Sequence, residues 1–525
     1  MNSAKSSRGM SQNAESNGDA AVGDLAESIA SSGSYRWVEE EFEASPEDFD
    51  EFVQKYGDVK VKYIKKPQNT NTWYFTRPYA LNFFYKGTLY RTRQERGESG
   101  KTELFLDLLY VGIVGNLASQ ATEEASGASL LRYLLLFLPV YQVWADIKDF
   151  MDYYFNEDLS QKLYILWIII LLTIYSNNTS TVLESHAETA MCVVPYMLCR
   201  FSLAISQLIY SLFIPQHRFQ MRFHATSILI TTWLWIPVIF GSTRLKIGLT
   251  LMNLVLEHIG FTVAYHGWTR RLFKLKYSTA VNIEHEVERV SAFYVIAIGE
   301  FLYKVVTGGA LGAGFTARLA RGIMLLVIAY VLLWLYFNGE GSLRAVHALR
   351  RSSHTAMLWI WAHIPLIASL ILAADASGDL CLFTDERTWN ESGEGHLETG
   401  LERRSEESGE GSEASRRALA FFFTGGLGVA LICLFVLAIA DKSLDSCEVH
   451  AIPKFWRIFP RIPVALLIIF ITFADLGITK LFGFVMAVLV ALLLYELFAM
   501  MPRAEYCGSN REDIPDPTEE PQEEP

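Results

Sequence analysis

Long apolar runs, nearly free of charge and separated by short polar loops, recur from Glu103 to Met500. One helical crossing of a bilayer needs about 20 consecutive apolar residues, somewhat fewer where the helix is short. About a dozen runs meet that need. They cover Glu103 to Gln120, Leu130 to Ile147, Leu163 to Tyr175, Ala190 to Ile214, Phe223 to Phe240 and Ile247 to Trp268. Six more follow at Val290 to Val306, Ile323 to Phe337, Thr355 to Ala374, Ala418 to Ala440, Ile462 to Ile478 and Leu481 to Met500. One buried helix of a soluble protein imitates a span, but a succession of them does not. The pattern therefore predicts an all-α, polytopic transmembrane bundle of about 12 spans. Pro139, Pro195, Pro237 and Pro365 fall inside four of them and are expected to kink their helices, with neighbours re-satisfying the freed backbone groups.

The polar flanks divide the chain. Residues 1–34, rich in Ser, Asn, Gly and Ala, read as a disordered tail with no signal-peptide pattern. Residues 35–102 read as a cytoplasmic or interfacial segment. Tyr35 to Gly57 is acidic with spaced aromatics, as in a short amphipathic helix, and the aromatic stretch from Trp73 to Tyr90 suits the membrane surface. Residues 103–500 form the membrane body. Into it the Glu-, Ser- and Gly-rich stretch 375–417 is inserted as a disordered outer loop, and 501–525 is an acidic disordered tail. The net charge of -12 resides mostly in these tails and this loop. With no dominant basic face, nucleic-acid binding is excluded. Six cysteines lack metal-like spacing, so neither a disulfide framework nor a metal site is expected; Cys447 and Cys507, beside helix ends, are candidates for palmitoylation or plain free thiols.

Lys and Arg in the short loops set the orientation. Alternate loops hold sixteen of them, including Lys148, Lys162, Arg218, Arg270, Arg350 and Arg461. The opposite loops hold only Arg244, Lys246, Arg318, Arg321 and Lys480. Both termini are thus predicted to be cytoplasmic. Glycosylation sequons at Asn177, Asn178 and Asn390 all fall in loops assigned to the outside, which favours a plasma membrane or endomembrane of a eukaryote.

Ionisable residues at bilayer depth cost about 2.5–3.5 kcal/mol on insertion scales and call for a partner, a cavity or a task. Arg200, Glu257, His258, Glu300 and His363 fall near mid-depth. Glu103, Asp107 and Tyr110 share one face of the first span, either as a polar stripe lining a pathway or as acids complementing a helix N-terminus. His285, Glu288 and Arg289 lead into the seventh span, which carries Glu300. That acid is either the middle of a relay or a partner of Lys304 four residues on, with Glu288 and Arg289 forming a cytoplasmic ion-pair knot. Glu257 and His258 are adjacent and so point apart. Arg200 suits either Glu257 or Glu300, and His363 suits a carbonyl freed by Pro365. No zinc-protease spacing, Gly-x-Ser-x-Gly or P-loop occurs, so no catalytic motif supports an enzyme and no cofactor is expected.

At these residues the chain resembles the low-temperature-requirement A family. The resemblance is carried by Glu103-Leu-Phe-Leu-Asp107, by His285, Glu288 and Arg289 followed by Ile296-Ala-Ile-Gly299-Glu300, by Trp334 to Phe337, by His363 with Pro365, and by the acidic run Trp144 to Leu159. It covers about Lys101 to Met500. Val290 after Arg289 and Phe301 after Glu300 depart from the bacterial pattern and suggest a divergent, fungal-type member. The family implies a multi-pass membrane protein connected with growth in the cold; it implies no particular substrate, cofactor or reaction.

Together these features predict a transporter or channel for protons, cations or a small solute. The alternatives are a non-transporting membrane scaffold or lipid-adaptation factor, whose polar residues join helices, and an intramembrane enzyme using His and Glu. The expected partners are the lipid bilayer and a small ion or solute. Oligomeric state is left open.

Overall fold

The computed structural model describes residues 61–64 and 73–501, apart from 86–87, 93–98, 155–157, 308–313, 340, 343–344, 384–408 and 446–449. The N-terminal tail, the helix expected at Tyr35 to Gly57, Asn390, Cys447, Cys507 and the C-terminal tail beyond Met501 lie outside the described residues.

Helices dominate because the apolar runs satisfy their backbone groups internally, as a bilayer demands. In chain order they are α1 (Ser99–Glu124), α2 (Gly127–Tyr154), α3 (Leu159–Asn177), α4 (His186–Phe213), α5 (Arg218–Trp233), α6 (Ile236–Phe240), α7 (Thr243–Tyr265) and α8 (Gly267–Leu272). There follow α9 (Ile283–Thr307), α10 (Ala317–Phe337), α11 (Ala348–Arg351), α12 (Ser353–Leu382), α13 (Gly409–Ala440), α14 (Lys454–Ile458), α15 (Arg461–Phe470) and α16 (Ile478–Met500). Side-chain caps start several of them. Asp158 accepts from the Gln161 amide at 2.9 Å, Thr316 from Leu319 at 3.1 Å and Ser352 from Thr355 at 3.2 Å. Pro139, Pro195 and Pro365 lie inside continuous helices. Pro237 instead marks the restart of the fifth span as α6, after a break at Leu234 and Trp235.

Among the described residues, eleven helical stretches are long and apolar enough to cross a membrane. The twelfth expected crossing is α9, whose charged residues set it apart; it packs against α1, α2, α10 and α12 in the interior. The body is therefore the predicted multi-pass bundle. Burial grades the helices: 67% of the apolar window of α13 is buried but only 28% of that of α7, so α13 is central and α7 peripheral. Leu104, Phe105, Leu108, Leu163, Leu166 and Ile170 stay exposed, as side chains facing lipid should.

Two expectations need correction. The stretch 375–417 is helical at both ends, because α12 continues to Leu382 and α13 begins at Gly409. Small residues explain the extension of α12. A Cβ on Gly378 would come 2.7 Å from Lys304 Cβ, so the glycine admits α9 at close range. The aromatic segment before the first span is also more than an interfacial stretch. It supplies strands β2 (Asn82–Tyr85) and β3 (Thr88–Thr92), which join β1 (Val61–Ile64) and β4 (Tyr277–Thr279) in the order β1-β3-β2-β4. Phe83 stacks on Tyr90 and Tyr85 on Tyr277, with centroids 5.2 and 5.0 Å apart. His217, buried in the turn between α4 and α5, bonds the Asn82 carbonyl at 3.1 Å and Tyr154 at 3.2 Å; burial pulls its pKa down to about 3.

Contacts between loops respect the predicted alternation of sides. The first sheet joins the N-terminal segment to the loop after α8, and β5 (Ala345–Val346) pairs with β6 (Lys442–Ser443), all from loops assigned to one side. On the other side, Arg132 binds the carbonyls of Thr179 and Ser180, His186 meets Ile239 O, and Arg416 reaches Asp475.

Candidate functional site

Helix α1 crosses with a polar stripe at 103, 107, 110, 119 and 122. Nineteen residues at 1.5 Å rise span about 28 Å, close to the hydrocarbon thickness. Its lower end meets α2 and α9 in a buried network. Arg289 Nη2 binds Asp107 Oδ2 at 2.6 Å and the Glu103 carbonyl at 3.1 Å, while its Nε lies 3.7 Å from the Glu103 carboxylate. Trp144 Nε1 donates to the second oxygen of Asp107 at 2.9 Å. The His285 ring is held between two acids, with Glu103 at Nε2 (3.1 Å) and Asp152 at Nδ1 (2.9 Å). Both nitrogens donate only if the ring is cationic; a neutral ring needs one carboxyl to carry the proton. Either way a proton is shared among the three. Lys148 bridges Glu286 and Asp149, the latter at 2.8 Å.

A second limb runs from α2 into α4 and α7. Arg200 pairs with Asp146 and approaches Glu257 at 3.9 Å. Gln142 donates to Asp146 at 3.1 Å. Tyr196 and Trp235 Nε1 both donate to Glu257, the latter at 2.8 Å. The break between α5 and α6 is what turns Trp235 inward. Tyr110 stands where the limbs meet: it is fully buried, lies within the fields of both Asp107 and Asp146, and its hydroxyl has no hydrogen-bond partner among the described residues.

Farther along the stripe lies an outer cluster. Lys304 of α9 pairs with Asp375 of α12 and donates to Ser119 Oγ at 2.8 Å. Ser119 and Thr122 of α1 donate to the two Asp375 oxygens, Ser119 at 2.8 Å. Glu300 is 4% exposed and its carboxyl packs against Gly115, where a Cβ would sit 3.2 Å from Oε1. On α9, Phe293 stands between Arg289 of the inner network and Glu300 of this cluster. Its ring touches Tyr110, Tyr141 and Trp144, with centroids 6.3, 6.0 and 4.5 Å away.

The sequence model described as bacterial low temperature requirement A protein matches residues 99–495, most of the chain. The chain belongs to the low temperature requirement A family. A protein of Rhizobium meliloti (strain 1021), named only as uncharacterized, is 22% identical over 286 residues, which are 52% of this chain and 67% of that protein. No solved structure matches.

The family resemblance noted in the sequence can now be placed residue by residue. Glu103, Asp107, His285 and Arg289 converge in the inner network, and Glu257 joins its second limb. Arg200 chooses Asp146 and Glu257 over Glu300. Three expectations change. Glu288 is exposed, and the buried place beside Lys148 belongs to Glu286. Lys304 turns from Glu300 to Asp375. His258 is half-buried and bonds its own helix at Leu254 O (2.8 Å), so it joins neither cluster. His363 does bond a carbonyl, but that of Trp359 at 2.8 Å, and its other nitrogen meets Tyr336 Oη at 3.2 Å. Asn177 is exposed, but the Thr179 that completes its sequon is wholly buried, and Asn178 donates to Ile174 O at 2.7 Å.

Lys148, Asp149, Asp152, Glu286 and Asp375 were not singled out as site residues by the sequence. Lys148 counts there only as a loop charge. The acidic turn after α2 and the small-residue run around Asp375 were the available signals. A separate clamp holds the last helices: Arg461 grips both Glu496 oxygens at 2.7 and 2.8 Å and donates to the carbonyls of Leu434 and Gly339.

Proposed function

We propose that the protein carries protons, or a small cation or solute coupled to them, across its membrane, with both termini in the cytoplasm of a eukaryotic cell. One observation carries this reading: the inner network holds more acid than base. Glu103, Asp107, Asp146, Asp149, Asp152, Glu257 and Glu286 face Lys148, Arg200, Arg289 and His285. Among the described residues, seven carboxylates, of which Asp149 is partly open to water, face three permanent cations and one imidazolium, an excess of three negative charges. An ionised excess is costly away from water, so protons or cations reside there. The Tyr110 hydroxyl, without a hydrogen-bond partner among the described residues, offers a step between the limbs, and the aromatic rings around Phe293 narrow the way to the outer cluster. That arrangement suits an occluded state of a transporter, in which one side opens at a time.

The test is proton and potassium flux in liposomes containing the purified protein, beside Asp107→Asn and Glu300→Gln. Flux in the parent that either folded variant abolishes supports transport. Flux no greater than in empty liposomes, under several gradients and lipids, overturns it and favours the scaffold reading, with the acids acting as helix-joining pairs.

A further inference from the structure

The outer cluster has an unbalanced charge of its own. Glu300, Asp375 and Lys304 sum to one negative charge, and Asp379, partly open to water one turn along α12, adds to the negative field at Lys304. Glu300 is 4% exposed yet makes no hydrogen bond or ion pair with any described residue. Its neighbour Lys304, four residues on along α9, is within reach of it but is drawn to Asp375. The ammonium thus rests on oxygen, Ser119 Oγ and Asp375 Oδ1, while Thr122 Oγ bonds the other Asp375 oxygen.

We propose that this cluster is a binding site for one monovalent alkali cation, held by Asp375, Ser119 and Thr122, with Lys304 moving from Asp375 to Glu300 when the ion enters. Two positive and two negative charges then balance. A divalent ion would leave an excess of positive charge on Glu300, Asp375 and Lys304, the groups held away from water; Asp379, partly open to water, is screened by solvent. A proton on Glu300 would also balance the charge, and the comparison of sodium and potassium with choline separates the two; carboxylate and hydroxyl oxygens together are the donor set of a hard cation. Gly115 and Gly378 leave the room that the exchange needs, because they let the Glu300 carboxyl and the Lys304 stem lie directly against α1 and α12.

The experiment is thermal unfolding of the full chain in detergent, with sodium, potassium or choline chloride at constant ionic strength and a pH above the carboxylate range. Sodium or potassium should raise the Tm saturably over choline by about 2 °C or more. The rise should vanish in Asp375→Asn, reach half-saturation at lower salt in Lys304→Ala, and persist in Asp475→Asn at the outer surface. No difference from choline in the parent and in monodisperse Lys304→Ala overturns the site, as does a saturable rise that survives Asp375→Asn. The proposal does not rest on transport. A Tm response without flux would retain the site and remove the transporter reading, and flux without a Tm response would do the reverse.

Discussion

Arg289 shows how much one side chain carries. It is 7% exposed and satisfies Asp107, the Glu103 carbonyl and, at longer range, the Glu103 carboxylate. Arg289→Ala leaves buried acids unpaired, at an expected cost of about 3–5 kcal/mol. Arg289→Lys should recover only part of it, since one ammonium cannot reproduce the planar fork. Unfolding midpoints measure both; an alanine variant as stable as the parent would refute the pairing. Gly115 offers a finer test. Gly115→Ala sets a methyl 3.2 Å from Glu300 Oε1, which must shift by a few tenths of an ångström, so the variant should be less stable than Gly112→Ala, where nothing lies within 4 Å of a Cβ. Adding Glu300→Ala should remove the penalty; if the cost persists in the double variant, the contact is not its source. Glu103, Asp107, Glu257 and Arg289 were legible from the sequence because a charge within an apolar run stands out. Asp152, Glu286 and Asp375 were not, because each sits where a span edge blends into a polar loop and only packing shows which charge turns inward.

On the scale of elements, α9 is decisive. Its first turns feed the inner network, its Phe293 packs among the rings of Tyr110, Tyr141 and Trp144, and Glu300 and Lys304 serve the outer cluster. Phe293→Ala should cost about 3–5 kcal/mol and raise passive proton leak through the reconstituted protein, while Phe293→Leu should leak less. If the alanine variant stays as tight to protons as the parent, the aromatic ring is no barrier. The break between α5 and α6 also has a purpose, since it aims Trp235 at Glu257. From the sequence that span reads as one helix with Pro237 inside it. The run 375–417 reads as a loop because Ser, Gly and acids suggest water, yet helix α12 extends to Leu382 where small residues let α9 approach.

Over the whole molecule, the sheet and loop contacts sort the two ends of the bundle. Lys274 and Glu184 are both exposed and lie at opposite ends. Cysteines placed there should label differently with an impermeant thiol reagent: Glu184→Cys in intact cells, Lys274→Cys only after permeabilisation. Labelling of both from one side would reject the predicted topology. Four native cysteines, Cys192, Cys199, Cys381 and Cys433, are buried. The N-terminal strands are tied to the bundle partly through His217, whose pKa in the fold (about 3) lies below the ordinary 6.5. Its contribution is complete above about 6.5 and declines as the pH falls through that window, since the charged ring is disfavoured when buried. Protease cleavage within residues 73–92 should therefore rise on acidification, and His217→Gln should flatten the dependence.

The sequence by itself determined that this chain is a multi-pass helical membrane protein of the low temperature requirement A family, and roughly where its spans lie. Hydrophobic length and loop charge are local quantities, summed along the chain, and a bilayer reads them directly. Only the tertiary structure decided which charges meet. An ion pair depends on two helices brought together by packing, so Lys304 could be placed near Glu300 by spacing but turned to Asp375 only by the close approach of α12. The aromatic packing around Phe293 is of the same kind, since it takes α1, α2 and α9 together to build it.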